Sequence, residues 1–277
     1  MDKLEIAKHR EYPVIKANEI VQRAKYDLGI DELRALAYIL SMIKPNDTAE
    51  LEYTFSIKEY YQICGFDFKS GGNYSRAKKI LKKLRDTSFW LIDENGDETT
   101  VGWLENVTIK KRSGKITVSL DKRLHKYVYN LMNNFTQYSL LSTLPMKSRY
   151  SFRIYEILKS YAWTKQHTFD IDDLKAQLKA ESYVNFKDFR KKIIEVAVSE
   201  INQYTDLEVS WQPINKGRKV VKVAFDIKQR DEWGTYQAGK RAAKELDGQI
   251  SIFDYDLDQN LNNQEPKTIG YVKIKNE

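Results

Sequence analysis

Hydrophobic positions along the chain recur at helical and strand spacings, in an order that is found twice. Between Asn18 and Lys44, Leu33, Leu36, Ala37, Leu40 and Ile43 return every three or four residues, which predicts a core-facing helix stopped by Pro45-Asn46. Phe55-Ser56-Ile57 alternates like a short strand, and Ser56 is placed to cap a helix that carries Tyr60, Tyr61 and Cys64 and ends at Gly65. Beyond the turn Ser70-Gly71-Gly72-Asn73, a third helix is expected from about Ser75 to Arg85, with Ala77, Ile80, Leu81 and Leu84 on one face and cations on the other. Phe89 to Ile92, a turn at Asn95-Gly96, apolar Val101, Trp103, Val107 and Ile109, a turn at Ser113-Gly114 and alternating Ile116, Val118 and Leu120 then predict a β-ribbon. Helix, helix, basic helix and ribbon make a winged-helix order, in which the later helix docks in a DNA major groove while flanking elements touch the backbone.

The second half repeats it. Phe169-Asp170-Ile171 answers to Phe55-Ser56-Ile57 at an offset of 114, and Ile194, Ala197, Val198 and Ile201 answer to Ala77, Ile80, Leu81 and Leu84 at 117, a three-residue difference that one loop absorbs. A ribbon follows again: Leu207 to Trp211, a turn around Asn215-Lys216-Gly217, then Val221, Val223, Phe225 and Ile227. Tyr150 to Ala162 supplies the packing helix ahead of it, and Asn133 to Pro145 has no strong periodicity. The expectation is an α+β chain of two tandem winged-helix domains, residues 1–135 and 147–229, with a linker at 136–146 and a flexible polar tail at 230–277.

Composition narrows the partner. The chain carries a net charge of +7, but residues 230–277 hold seven basic and nine acidic side chains, so residues 1–229 carry +9. Lys69 to Arg85 has seven basic residues and no acid, a density that suits a polyanion. The single cysteine, Cys64, rules out an internal disulfide or a thiolate-rich metal site and fits a reducing, cytoplasmic address. No apolar run approaches the ~20 residues that span a bilayer, so no membrane partner is expected.

Catalytic patterns are missing from the sequence. A P-loop needs Gly-Lys-Ser/Thr, because backbone amides cradle phosphate while the hydroxyl reaches magnesium; Gly114-Lys115 runs into Ile116, and Gly239-Lys240 into Arg241. An origin-nicking enzyme would gather histidines around a metal beside a tyrosine, whereas His9, His125 and His167 stand far apart. The expectation is a DNA-binding protein with no catalytic centre, no metal and no cofactor.

Several runs resemble the theta-replicating plasmid initiators, the iteron-binding Rep proteins with two winged-helix domains. They are Val14-Ile15-Lys16-Ala17-Asn18-Glu19-Ile20, Lys147-Ser148-Arg149-Tyr150-Ser151-Phe152-Arg153-Ile154-Tyr155-Glu156-Ile157-Leu158, Asp188-Phe189-Arg190-Lys191-Lys192, and Ser199-Glu200-Ile201-Asn202, with Gly217-Arg218-Lys219 fitting the second wing. The resemblance implies monomers on directly repeated origin sites, and dimers, joined mainly through the first domain, that repress the initiator's own gene. It also implies origin opening and recruitment of the host initiator and replicative helicase. The linker would be where monomer and dimer differ in domain orientation.

Carried over by position, Asn185, Asp188, Lys191 and Lys192 are the base-reading candidates, with Lys187 and Arg190 as backbone or base contacts. Asn can read adenine, Asp can accept from cytosine and Lys can donate to guanine. In the first domain Arg76, Lys78, Lys79, Lys82 and Lys83 suit phosphates. The wings offer Lys110, Lys111, Arg112 and Lys115, then Lys216, Arg218, Lys219 and Lys222. A solvated charged surface is the competing reading for each of these, and a winged-helix transcriptional repressor without a replication role is the competing function. In the tail, Gln249-Ile250-Ser251-Ile252-Phe253 resembles the pentapeptide by which bacterial DNA-processing proteins dock on the sliding clamp; Ile250, Ile252 and Phe253 covering a folded surface is the equal alternative.

Overall fold

The computed structural model describes residues 1–44, 46–48, 51–66, 72–92 and 96–247. Helix α1 (Lys3–Arg10) is closed by a capping box between Asp2 and Glu5. Strand β1 (Pro13–Ala17) and helix α2 (Asn18–Arg23) follow, and α3 (Ile30–Leu40) comes after a break. The single helix expected over 18–44 is therefore two. Ala24, Tyr26 and Leu28 are buried and alternate with exposed Lys25 and Asp27, a period of two that only extended backbone satisfies.

The first winged helix is built from β2 (Glu52–Ser56), α4 (Ile57–Ile63) and α5 (Asn73–Asp86). Ser56 caps α4 as the sequence predicts, in a reciprocal box with Glu59, and Gly65 takes the left-handed conformation (φ +70°) just past its end. The expected ribbon is split in two. β3 (Ser88–Ile92) and β4 (Glu98–Gly102) form a separate two-stranded hairpin, while β5 (Leu104–Lys110) and β6 (Lys115–Leu120) join β2 in an antiparallel sheet of order β2-β6-β5. Trp103, fully buried, is wedged against Tyr26 and Phe89 at ring separations of 5.0 and 4.8 Å.

The stretch expected as a linker is part of the core. After the short helix α6 (His125–Val128), β7 (Phe135–Ser139) pairs antiparallel with β1, from Pro13↔Ser139 to Ala17↔Phe135. Thr136, Tyr138, Leu140, Leu141, Leu144 and Met146 are buried, so residues 136–146 pack and do not span open solvent.

The second winged helix repeats the first. α7 (Arg149–Ser160) is followed by β8 (Gln166–Asp170) and α8 (Ile171–Leu178); then come α9 (Phe186–Phe189), a π-helical turn at Arg190–Ile194, α10 (Glu195–Tyr204), on which α7 packs, β9 (Leu207–Lys216) and β10 (Lys219–Gln229). The sheet order β8-β10-β9 reproduces β2-β6-β5 strand for strand. Phe189, Ile193, Ala197 and Ile201 are all buried at four-residue spacing. In plain α-helix that spacing drifts by about 40° per step, and the wider π-turn takes up the accumulated drift.

The tail expected to be flexible from residue 230 begins with another helix, α11 (Glu232–Asp247). Ala238, Ala242 and Ala243 are buried, and the Arg241 guanidinium donates to the Gln203 carbonyl at the end of α10 (2.9 Å). Glu245 pairs with Lys147 at 2.7 Å, and Leu246 closes on Gly65, where an added Cβ would meet Leu246 at 2.9 Å. α11 thus touches both halves. The clamp-like peptide Gln249–Phe253 lies outside the described residues.

A buried charge cluster sits where the halves meet. Glu156 of α7, fully buried, accepts from the Lys16 ammonium of β1, from Arg153 (2.7 Å) and from the Tyr138 hydroxyl of β7 (2.6 Å). Burial alone would raise the Glu156 carboxyl, but Lys16 and Arg153 outweigh it and hold it below its ordinary value. Arg153 also donates to the Val21 carbonyl (3.2 Å) and lies over the Tyr26 ring at 4.5 Å.

Candidate nucleic-acid interface

The leading end of α9 is built by a side-chain cap. Asn185 has extended backbone, its Oδ1 accepts from the Asp188 amide (2.8 Å), and its Nδ2 donates to the Asp188 carboxylate (2.8 Å). Asp188 also lies 3.7 Å from Lys192, and these contacts, the Asn185 bond first, hold its carboxyl below the usual range. The structure therefore engages Asn185 and Asp188 with each other. One Asn185 amide proton and the outer edge of the Asp188 carboxylate remain for an external partner.

Lys187, Lys191 and Lys192 are exposed around this cap. A cation in the first turn opposes the positive end of the helix dipole, so Lys187 gains nothing from its own helix and is placed for an outside anion. Arg190 is partly covered and turned to Glu195, 3.2 Å away across the π-turn. The outward face runs on through Glu195 and Ser199, neither of them among the residues expected to meet DNA. Phe186, in the first turn, meets Trp211 of β9 edge to face at 6.4 Å, which ties the helix start to the wing.

The second wing ends in the two-residue turn Gly217-Arg218, where Gly217 has φ +64° and Lys216 pairs with Lys219. Lys216, Arg218 and Lys219 are exposed there, while Lys222 lies back at the sheet, 3.5 Å from Asp170. The first wing has the same design: Lys110, Lys111, Arg112 and Lys115 ring the turn that Gly114 (φ +63°) closes, all exposed.

α5 differs from its counterpart. Arg76 donates to Asp31 at 2.7 Å and lies over Phe66 at 4.6 Å; Lys83 is 3.9 Å from Glu32, and Lys82 pairs with Asp86. Only Lys78 and Lys79, of the five cations expected to meet phosphate on this helix, form no ion pair among the described residues. The first unit's basic helix is thus half neutralised by its own fold, and its wing keeps the stronger positive charge. No helix among the described residues is long and apolar enough to cross a membrane.

Both halves match known sequence families. The family described as "Initiator Replication protein, WH1" matches residues 13–159, and "Initiator Rep protein, WH2" matches residues 170–227. An Escherichia coli protein named "PI protein" is 23% identical over 234 residues, covering 77% of this chain and 72% of that protein. An "Uncharacterized 27.6 kDa protein" of the same organism is 23% identical over 235 residues, 79% of this chain and 95% of its own length. The solved structure "Crystal structure of Pi initiator protein in complex with iteron DNA" superposes with a TM-score of 0.66 at 18% identity, over 80% of this chain and 99% of that one, so the two share a fold.

Proposed function

Because the chain belongs to the initiator replication protein family, we propose that it initiates plasmid DNA replication by binding directly repeated double-stranded origin sites. The observation that carries this is the start of α9, a capped helix end ringed by Lys187, Lys191 and Lys192 and fastened through Phe186 to a wing tipped by Lys216, Arg218 and Lys219. Helix and wing together fit a major groove and its flanking phosphates. The binding unit is the second domain, with the first contributing its wing, Lys78 and Lys79 to the backbone and joining two copies in the homodimer. Monomers occupy the repeats, help open the origin and recruit the host initiator and replicative helicase in the cytoplasm. Dimers repress the initiator's own gene. The peptide Gln249–Phe253 engages the sliding clamp.

The test is footprinting on the DNA that flanks the gene, across a dilution series that separates monomer from dimer. Protection of direct repeats at high dilution is the expected result. A single protected palindrome would mark a repressor instead, and no protection at any site would overturn DNA recognition altogether.

A further inference from the structure

Val184 is 86% exposed, more than any other large apolar side chain among the described residues. It occupies the position just before the Asn185 cap. A hydrophobic residue there ordinarily folds back on the residue four into the helix as a staple, which here would be Phe189. Phe189 is fully buried and Val184 is not against it. The exposed side chain is also not a loose one. The Val184 amide donates to the Ser182 carbonyl (3.1 Å), its carbonyl accepts from the Lys175 ammonium (3.3 Å), Asn185 is fixed as the cap, and Tyr183 on the other side stands edge-on to Tyr150 at 6.0 Å. A β-branched side chain adds few rotamers of its own. Two bonds to its own backbone and the anchored residues on either side therefore fix the chain at Val184, while its isopropyl group stands in water at the leading end of the helix.

We infer that Val184 is a specificity-determining residue that reads thymine, by packing its methyl groups on the C5 methyl of one thymine in the major groove. This rests on α9 being the reading helix. The charged and amide side chains around the cap address phosphates or polar base edges, and Phe186 and Tyr183 are half-buried against Trp211 and Tyr150, which leaves Val184 as the freely exposed apolar group beside the cap; the methyl group that distinguishes thymine in the major groove is met by apolar contact. Burying one methyl group corresponds to about a fourfold change in affinity.

The experiment selects duplexes from a randomised library with the full-length chain, then replaces each thymine of the enriched site by uracil in turn and titrates both the wild-type chain and Val184→Ser. The expected result is one thymine whose replacement weakens the wild-type chain about fourfold and leaves Val184→Ser unchanged. If uracil weakens both proteins equally at every position, or Val184→Ser binds all duplexes more weakly by one common factor, the residue touches only sugar and phosphate and the inference is overturned. If the wild-type chain enriches no sequence, base reading by this helix fails and the inference falls with it, an outcome recognisable before any uracil is introduced.

Discussion

Replacing Glu156 by Gln keeps the shape of the buried cluster and removes its only anion. Glu156 is fully buried and Lys16 and Arg153 are nearly so, so water cannot replace the lost carboxylate. Breaking a buried ion pair by deleting one partner costs about 3–5 kcal/mol, because the surviving charge stays desolvated. Two cations survive here, so the upper end of that range applies, and for a chain of this size it corresponds to a fall of roughly 10–20 °C in Tm. Lys16→Met makes the informative contrast. It leaves Arg153 at 2.7 Å and the Tyr138 hydroxyl at 2.6 Å on the carboxylate and relieves the burial that already lowers the Lys16 ammonium, so its cost should stay under about 1 kcal/mol. Urea unfolding of both variants, followed by far-ultraviolet circular dichroism, gives the two numbers. Equal losses for the two variants, or a Glu156→Gln loss below about 1 kcal/mol, would refute the assignment of Glu156 as the charge on which the junction depends.

Other measurements bear on the helix, the wing and the amino-terminal segment. Neutralising about eight phosphates would give log affinity a slope near −7 against log salt, and Lys216→Ala or Arg218→Ala should each reduce that slope by about one; an unchanged slope removes that residue from the phosphate contacts. Asn185→Ala should cost about 1 kcal/mol of stability through the lost cap, and Asn185→Asp, which also caps, should restore it in a thermal melt. Burial, only partly offset by the bond from Ser139, pushes the Glu11 carboxyl up to about 7. The protonated form is therefore the one the fold prefers: its contribution is complete below about pH 4.5 and is lost as pH rises through 7, at most about 3 kcal/mol in all. Glu11→Gln should gain on the wild-type chain over that interval, and parallel stability curves would show that Glu11 does not titrate there.

Local features were legible in the sequence where one short segment decides its own structure. Ala77, Ile80, Leu81 and Leu84 all turn inward as their spacing requires, and Ser56 caps the helix it precedes. The misses came from partners far along the chain. Phe135 to Ser139 alternates modestly, and it becomes a strand because β1, at the other end of the first unit, supplies the pairing. Arg76 reads as a phosphate contact until Asp31, 45 residues earlier, is seen to hold it. α11 was hidden for a different reason: its buried face is mostly alanine, which carries little hydrophobic signal yet allows close packing on α10. At the candidate site the cations of the reading helix were named by family resemblance and those of the wings by charge, whereas the mutual engagement of Asn185 with Asp188 shows only in the folded chain.

The π-turn between Arg190 and Ile194 has a genetic consequence. Loss of one codon there would leave a plain α-helix of the right length to be stable, so the deletion would not abolish the helix itself. Phe189 and Ala197 would then be seven residues apart, about 700° of plain α-helix, so the two ends would stay within about 20° of their present phase, because the wide turn holds one residue more than an α-helix needs. With Ala197 and Ile201 keeping their places, Phe189 would stay in the core after such a deletion, whereas an inserted codon would turn it by about 100° and carry Lys187 and Asp188 off the outward face. Single-codon insertions should therefore be purged from this segment of the gene while single-codon deletions are borne, and both should accumulate at the tips of the wings, where a changed turn disturbs neither the core nor the phase of the helix.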